Sequence, residues 1–409
     1  MRLRHESAET GLVSCDAKGK ISFDFGYAPL ADGGIVREPH FGELIPEPLS
    51  AQRFLLPGRS PLTTIGPVAG RTAFAVALPA GYTRLLVPAY AARRGAPALP
   101  LFGYTFACAV DDQIYAAAMK TDESDDWQPR RFKPGELEGL IERRLHAQPD
   151  NRVLQQVALC SRDYACFTAQ NVFLERGEAA LPVSPKCNAR CIGCISEQDD
   201  DAGVPSPQSR IADEVAAAEL ADVAIHHLEL VDDGIVSFGQ GCEGEPLLRS
   251  ITIARAIERI RRQRPNGTIN LNSNGSQPDA LARCIDSGLQ AVRVSLNSFR
   301  PSVYAAYYRP LGYTLDDVFA SIRLAVERNL RVSLNLLTHP GVTDDAGEIA
   351  AMESFLRETP VSMVQTRTLN IDPVIYFEAV GRPKSPLGMR HAIERIRSLT
   401  RVGNFTHTH

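Results

Sequence analysis

From about residue 180 onward the chain settles into a rhythm. Short apolar runs alternate with longer stretches whose apolar positions recur at helical spacing. The runs "GIVSFGQG", "TINLNSNG", "AVRVSLNS", "RVSLNLLTHPG" and "VSMVQTRTLN" read as strands. Between them "LLRSITIARAIERIRRQ", "PDALARCIDSG", "LDDVFASIRLAVERN" and "DDAGEIAAMESFLRE" read as helices, as does "RIADEVAAAELADVAIHHLEL" before the first of those runs. With "EAALPVSP" in front, the pattern is βαβ alternation with about six strands, which predicts a parallel sheet covered by helices. Several strands run out into polar or glycine-rich ends, such as "GQGCEGEP", "NSNGS" and "THPG". Parallel α/β folds bind ligands at the carboxyl ends of their strands, so these ends are expected to face one cavity. A last helical pattern, "PLGMRHAIERIRSLTRVG", precedes a polar tail.

The first 180 residues differ. Short runs such as "KGKISFDFGY", "TAFAVALPAG", "YTRLLVPAYA" and "GYTFACAV" are bounded by Gly and Pro and read as strands. Two helical stretches follow, "PGELEGLIERRLHAQ" opened by Pro134 and "NRVLQQVALC". The run "DESDDW" reads as an acidic, solvated loop. Three regions are expected: a mixed β-rich α+β domain over 1–180, an α/β catalytic domain over 181–380, and a helix with a tail over 381–409.

Composition narrows the class. Of 409 residues, 44% are apolar and 22% charged, ordinary for a globular protein able to build a large core. The net charge of −4 does not favour nucleic acid or an anionic membrane, and no basic stripe with stacking aromatics is present. No run approaches the ~18 apolar residues of a membrane span, and the start shows no secretory pattern. A reducing cytoplasm is therefore expected, where cysteines serve as thiols or metal ligands.

Three of the nine cysteines stand in "CNARCIGC", spaced Cys-x3-Cys-x2-Cys at Cys187, Cys191 and Cys194. Soft thiolates on a short loop suit zinc or an iron–sulfur cluster. Structural zinc takes four ligands, commonly in pairs. Here the nearest further thiol is Cys242, and His226 and His227 fall inside a helical pattern. Three ligands on a four-iron cluster instead leave one iron open to a small molecule.

That spacing after a first barrel strand resembles the radical S-adenosylmethionine (SAM) superfamily. The resemblance implies a partial (β/α)6 TIM-like barrel, a [4Fe–4S] cluster on Cys187, Cys191 and Cys194, and SAM chelated at the open iron. It implies reductive cleavage of SAM to a 5′-deoxyadenosyl radical that takes hydrogen from a substrate, with flavodoxin or ferredoxin as electron donor. The family's Gly-Gly-Glu-Pro-like turn, which holds the methionine amine, corresponds to Gly244-Glu245-Pro246. A carboxylate there suits an ammonium. Its Thr-Asn-Gly-like turn corresponds to Ser273-Asn274-Gly275, and its Ser-x-Asn to Ser295 and Asn297 near ribose and carboxylate. Matching features span residues 183–370. The chain departs at Gly193, where the family often has an aromatic residue packing on adenine; Ile192 or Ile195 is a substitute.

Other residues have plainer readings. Cys242 lies within the amine-binding turn and is either a hydrogen donor, a redox thiol or a small buried filler. Cys284 reads as core. Cys160 and Cys166 would need Cys108 or Cys15 to build an auxiliary cluster. The absence of cysteine after Cys284 argues against a cysteine-rich carboxy-terminal extension, and no cobalamin signature is present. Arg309 could pair with the SAM carboxylate, His339 could act as acid or base, and Gln365, Arg367 and Asn370 could meet substrate. Two other classes remain: a zinc or iron–sulfur structural module, and a protein that senses SAM without cleaving it. The substrate, peptide or metabolite, is left open.

Overall fold

The computed structural model describes residues 9–122, 134–199 and 203–404. Most of the acidic "DESDDW" run, and the tail after Asn404, lie outside the described residues.

The second half is a sheet of parallel strands in sequence order: β1 (Glu178–Leu181), β2 (Ile235–Phe238), β3 (Thr268–Ser273), β4 (Ala291–Leu296), β5 (Arg331–Thr338), β6 (Met363–Thr368) and β7 (Arg401–Gly403). Helices follow each of the first six strands, as the βα rhythm requires. The alternation within each strand sets which face is wet. In β4, Val292, Val294 and Leu296 are buried in the apolar layer under the helices, while Arg293 and Ser295 point the other way, into the barrel. Ile269 and Leu271 against Asn270 and Asn272, and Val332 and Leu334 against Ser333 and Asn335, repeat the pattern. The barrel is thus greased outside and polar inside.

Two differences from the pattern-based reading have local causes. The seventh strand is only three residues long, too short to show a period-two signal. The helix expected over 210–230 begins at Ala217. Glu219 turns back so that Oε2 accepts from the Ala216 amide at 2.7 Å, starting the helix there. Upstream, the Ile211 amide donates instead to the Cys242 carbonyl at 2.8 Å. Residues 210–216 therefore run beside the Cys242 turn. Three eight-residue helices, Phe167–Leu174, Pro301–Tyr308 and Pro373–Val380, were too short to stand out in the pattern; the last two open on Pro at the first turn.

The first 120 residues build an eight-stranded antiparallel sheet and two three-stranded ones. The helices Pro134–Ala147, Arg152–Asp163 and Phe167–Leu174 share one apolar cluster with the barrel strands. The amino-terminal sheet also grips the barrel where it is open. Arg84, fully buried, donates to the carbonyls of Leu369 at 3.0 Å and Tyr104 at 3.2 Å, and Thr83 Oγ1 meets Thr366 Oγ1 at 2.6 Å. Burial without a carboxylate partner pushes the Arg84 guanidinium down to about 9. Among the described residues no helix is long and apolar enough to cross a membrane.

Candidate functional site

A cavity of about 640 Å³ opens at the carboxyl ends of the barrel strands. Cys187, Cys191 and Cys194 line it, together with Gly244, Glu245, Pro246, Asn274 and Ser295, and with Gln365, Arg367 and Asn370 from the end of β6. The cysteine loop is stitched on two sides. Its Arg190 and Ile192 amides donate to the carbonyls of Tyr308 at 3.0 Å and Tyr307 at 3.1 Å. Opposite, the Gly244 amide donates to Ser184 O at 2.6 Å and the Glu245 amide to Lys186 O at 2.9 Å. Gly244 cannot be anything larger: a Cβ there would lie 2.0 Å from the Lys186 carbonyl oxygen. Gly244→Ala is expected to push the loop off the turn and cut iron uptake on reconstitution severalfold, read as iron per chain.

The thiols are desolvated together. Burial first, then the neighbouring Glu245 carboxylate, pushes Cys187 up to about 11. Burial, then Cys194 and Cys187, raises Cys191 well above an ordinary thiol. Anionic sulfurs repel one another here until a cation joins them. That is the chemistry of a metal donor set, and three soft sulfurs with one shared cavity fit an iron–sulfur cluster. Among the described residues no three Cys, His, Asp or Glu groups are disposed to hold one metal ion; a cluster asks each thiolate to bind a different iron. Cys194 Sγ also accepts from Arg210 Nη2 at 3.8 Å.

Two carboxylates support this wall. Glu245, 3% exposed, accepts from Leu247 N at 2.9 Å and Ser273 Oγ at 2.6 Å on Oε1, and from Asn274 N at 2.8 Å on Oε2. Oε2 accepts this single bond among the described residues, leaving capacity for one more donor. Glu243 was not singled out by sequence. Its carboxylate ties two strand ends, accepting from Gly239 N and Gln240 N at 2.8 Å and from Val183 N and Ser184 N at 2.8 and 2.9 Å. Burial pushes both carboxyls up to about 7 against those hydrogen bonds. The native state therefore keeps protons that the unfolded chain releases above about 4.5, and this contribution to stability falls as pH rises from about 4.5 to about 7. In urea titrations Glu243→Gln is expected to flatten that slope. It should also lose stability at every pH, because its amide would face two N–H donors.

Other singled-out residues lie elsewhere. Asn297 is fully buried below the cavity and donates to Tyr376 Oη at 3.1 Å. His339 is fully buried, with Nδ1 2.7 Å from Pro340 O and its ring against Tyr376; burial holds it well below an ordinary imidazole. It is not among the residues lining the cavity. Arg309 caps a helix with φ of 45° and stands at a neighbouring outer cleft of about 790 Å³, 4.0 Å from Asp199. Asn297 and His339 face packing, whereas the cleft that Arg309 lines is lined by Cys187, Cys191 and Cys194 as well. Cys242 does line the cavity, hydrogen-bonded to Cys160, and Cys166 stands on the same wall. Cys284, Cys108 and Cys15 are buried in apolar layers.

Gly193 has a structural explanation. A Cβ there would lie 2.9 Å from Tyr307 Oη, so a tyrosine from another element occupies the space beside the loop and lines the cavity. Ile195 lines it as well, and Ile192 faces the outer cleft. Sequence reasoning also missed Asn272, Arg293 and Asn335, whose signal was the polar alternation of β3, β4 and β5.

The profile of the family described as "Radical SAM superfamily" matches residues 181–352. Curated relatives match part of the chain: a GTP 3′,8-cyclase of Thermodesulfovibrio yellowstonii is 29% identical over 187 residues, 45% of this chain and 54% of that protein. Residues 181–352 thus carry a radical SAM superfamily domain. Members are enzymes that use a [4Fe–4S] cluster and SAM. The FeMo cofactor biosynthesis protein NifB of Klebsiella pneumoniae is 26% identical over 180 residues, covering 40% of this chain and 37% of NifB. The chain thus spans between about a third and just over half of those relatives' lengths. Solved structures align loosely: a radical SAM methyltransferase from Sphaerobacter thermophilus has a TM-score of 0.39 at 14% identity, covering 55% of this chain and 64% of that one. The hydrogenase maturase HydG from Carboxydothermus hydrogenoformans has 0.38 at 13%, covering 66% and 76%.

Proposed function

We propose that this chain is a radical SAM catalyst in which Cys187, Cys191 and Cys194 hold a [4Fe–4S] cluster. The observation that carries the reading is that these three thiols and the Glu245 carboxylate line one cavity. When bound, cluster and SAM supply a 5′-deoxyadenosyl radical able to take hydrogen from an unactivated carbon. The protein's own part is positional. Glu245 Oε2 accepts the methionine ammonium within the Gly244-Glu245-Pro246 turn. Asn274 and Ser295 line the nucleoside, with Tyr307 as the aromatic surface that position 193 lacks. Gln365, Arg367 and Asn370 face substrate across the cavity. The amino-terminal sheet, fastened through Arg84 and Thr83, closes the barrel side and keeps water from the reacting atoms. The protein works in the cytoplasm, and a flavodoxin or ferredoxin supplies the electron.

Anoxic reduction of reconstituted protein with dithionite in the presence of SAM is expected to yield 5′-deoxyadenosine. A chain that holds about four iron atoms yet forms none of it is a sensor, and one that holds a single zinc is a structural module.

A further inference from the structure

Within the polar barrel interior, the charges do not balance on the β6 side. Arg293 of β4 is paired: Nη2 lies 2.8 Å from Glu178 Oε1, and both side chains are almost wholly buried. Arg367 of β6 is different. Its Nη1 donates to the Asn404 carbonyl at 2.6 Å, and among the described residues no carboxylate lies within ion-pair distance of it. Burial is the first cause that pulls its guanidinium down and Arg293 the second, with the Glu178 carboxylate opposing them. Arg367 is exposed and lines the cavity. A guanidinium on a cavity wall with no carboxylate in contact is open to an anionic ligand. Beside it, Asn335 of β5 pairs in register with Gln365, lines the same cavity, and has an Oδ1 without a hydrogen-bond partner among the described residues, so its side-chain amide is free to turn its Nδ2 donors toward a ligand. The Glu245 wall is acidic and suits an ammonium; the Arg367 wall is cationic and offers forked N–H donors.

We propose that Arg367, with Asn335 beside it, is the anchor for an oxyanion, a carboxylate or a phosphate, carried by the substrate. This rests on the radical SAM reading for the identity of the cavity, and it adds the substrate's chemical class. A guanidinium binds such a group bidentately through charge-assisted hydrogen bonds. Arg293, already neutralised by Glu178, backs the site without competing for the anion.

The test uses the full reconstituted protein under anoxia. Iron content and the perturbation of the cluster's paramagnetic signal by SAM are recorded first, so failure of the radical SAM reading shows separately. Inorganic phosphate and malonate are then titrated as probes, with thermal stabilisation as the readout, for the natural chain and for Arg367→Gln and Arg367→Lys. The proposal expects one of the two probes to stabilise the natural chain. Arg367→Gln should raise its half-saturating concentration at least tenfold, and Arg367→Lys should retain part of the binding. Iron content and the SAM signal should be unchanged in both variants. Whichever probe wins names the oxyanion. Two results overturn the proposal: equal or absent stabilisation by both probes in the natural chain and Arg367→Gln, or loss of the SAM perturbation in Arg367→Gln, which would give the guanidinium to the SAM carboxylate. Should Arg367→Gln fail to fold, Asn335→Leu, expected to weaken probe binding severalfold, decides in its place.

Discussion

Cys191→Ala, reconstituted anaerobically with iron and sulfide, is expected to retain less than one of the about four iron atoms per chain that the natural protein takes up. Its 5′-deoxyadenosine formation should fall by more than about a hundredfold, since losing even the outer partners of metal ligands costs 10–100-fold. The physical case rests on Cys191 being the middle thiol. Burial and both neighbouring sulfurs raise it well above an ordinary thiol, so a cation beside it favours its anion. Removing it leaves Cys187 and Cys194 with no third donor on the loop. The fold should survive, because the loop is held by backbone hydrogen bonds from Tyr307, Tyr308 and the Gly244 turn, which the substitution does not touch. Iron analysis with far-ultraviolet circular dichroism separates the two effects. Iron uptake equal to the natural chain would refute the ligand assignment.

Asp372→Ala is expected to destabilise the protein by about 3–5 kcal/mol. Asp372, 2% exposed, sits just past β6 at the junction between the barrel and the amino-terminal sheets. Its Oδ2 accepts from Arg59 Nη2 at 2.7 Å and from Leu99 N at 3.1 Å, and its Oδ1 from Tyr90 Oη and Val374 N at 3.0 Å. Arg59 is also buried, so removing the carboxylate strands a cation and several donors away from water. Urea unfolding monitored by circular dichroism reads the change as a lower midpoint. Truncating both partners, Arg59→Met with Asp372→Ala, should recover part of the loss, because no lone charge then remains. A double variant as unstable as the sum of the singles would show that the pair does not couple.

Much of the barrel was legible because a βα unit writes itself locally. A strand needs a few alternating residues and a helix needs a period of 3.6, and β2 to β6 carry both clearly. β7 was not legible, because three residues carry no period and their strand exists only through pairing with β6. The start of the helix at Ala217 was missed for a related reason. Ile211 and Val215 fit a helical stripe and are both buried, yet Ile211 gives its amide to the Cys242 turn, which no local pattern encodes. The cysteine loop and the Glu245 turn stood out in one dimension because their residue types and spacings are chemically unusual. Glu243 did not, since its role is to collect four amides from two strand ends that are distant in sequence.

Sequence alone therefore determined the class of chemistry: three soft donors at fixed spacing, a glycine–carboxylate–proline turn, and strands whose ends carry polar side chains. These are properties of residue type and short-range order, and folding does not alter them. Tertiary structure decided which groups share a cavity. It turned Asn297 and His339 into packed neighbours of Tyr376, placed Tyr307 beside Gly193, and paired Arg293 with Glu178 while leaving Arg367 facing open space. The reason is that a charge's partner and a ring's neighbour come from different strands and helices, and only closure of the barrel brings them within reach.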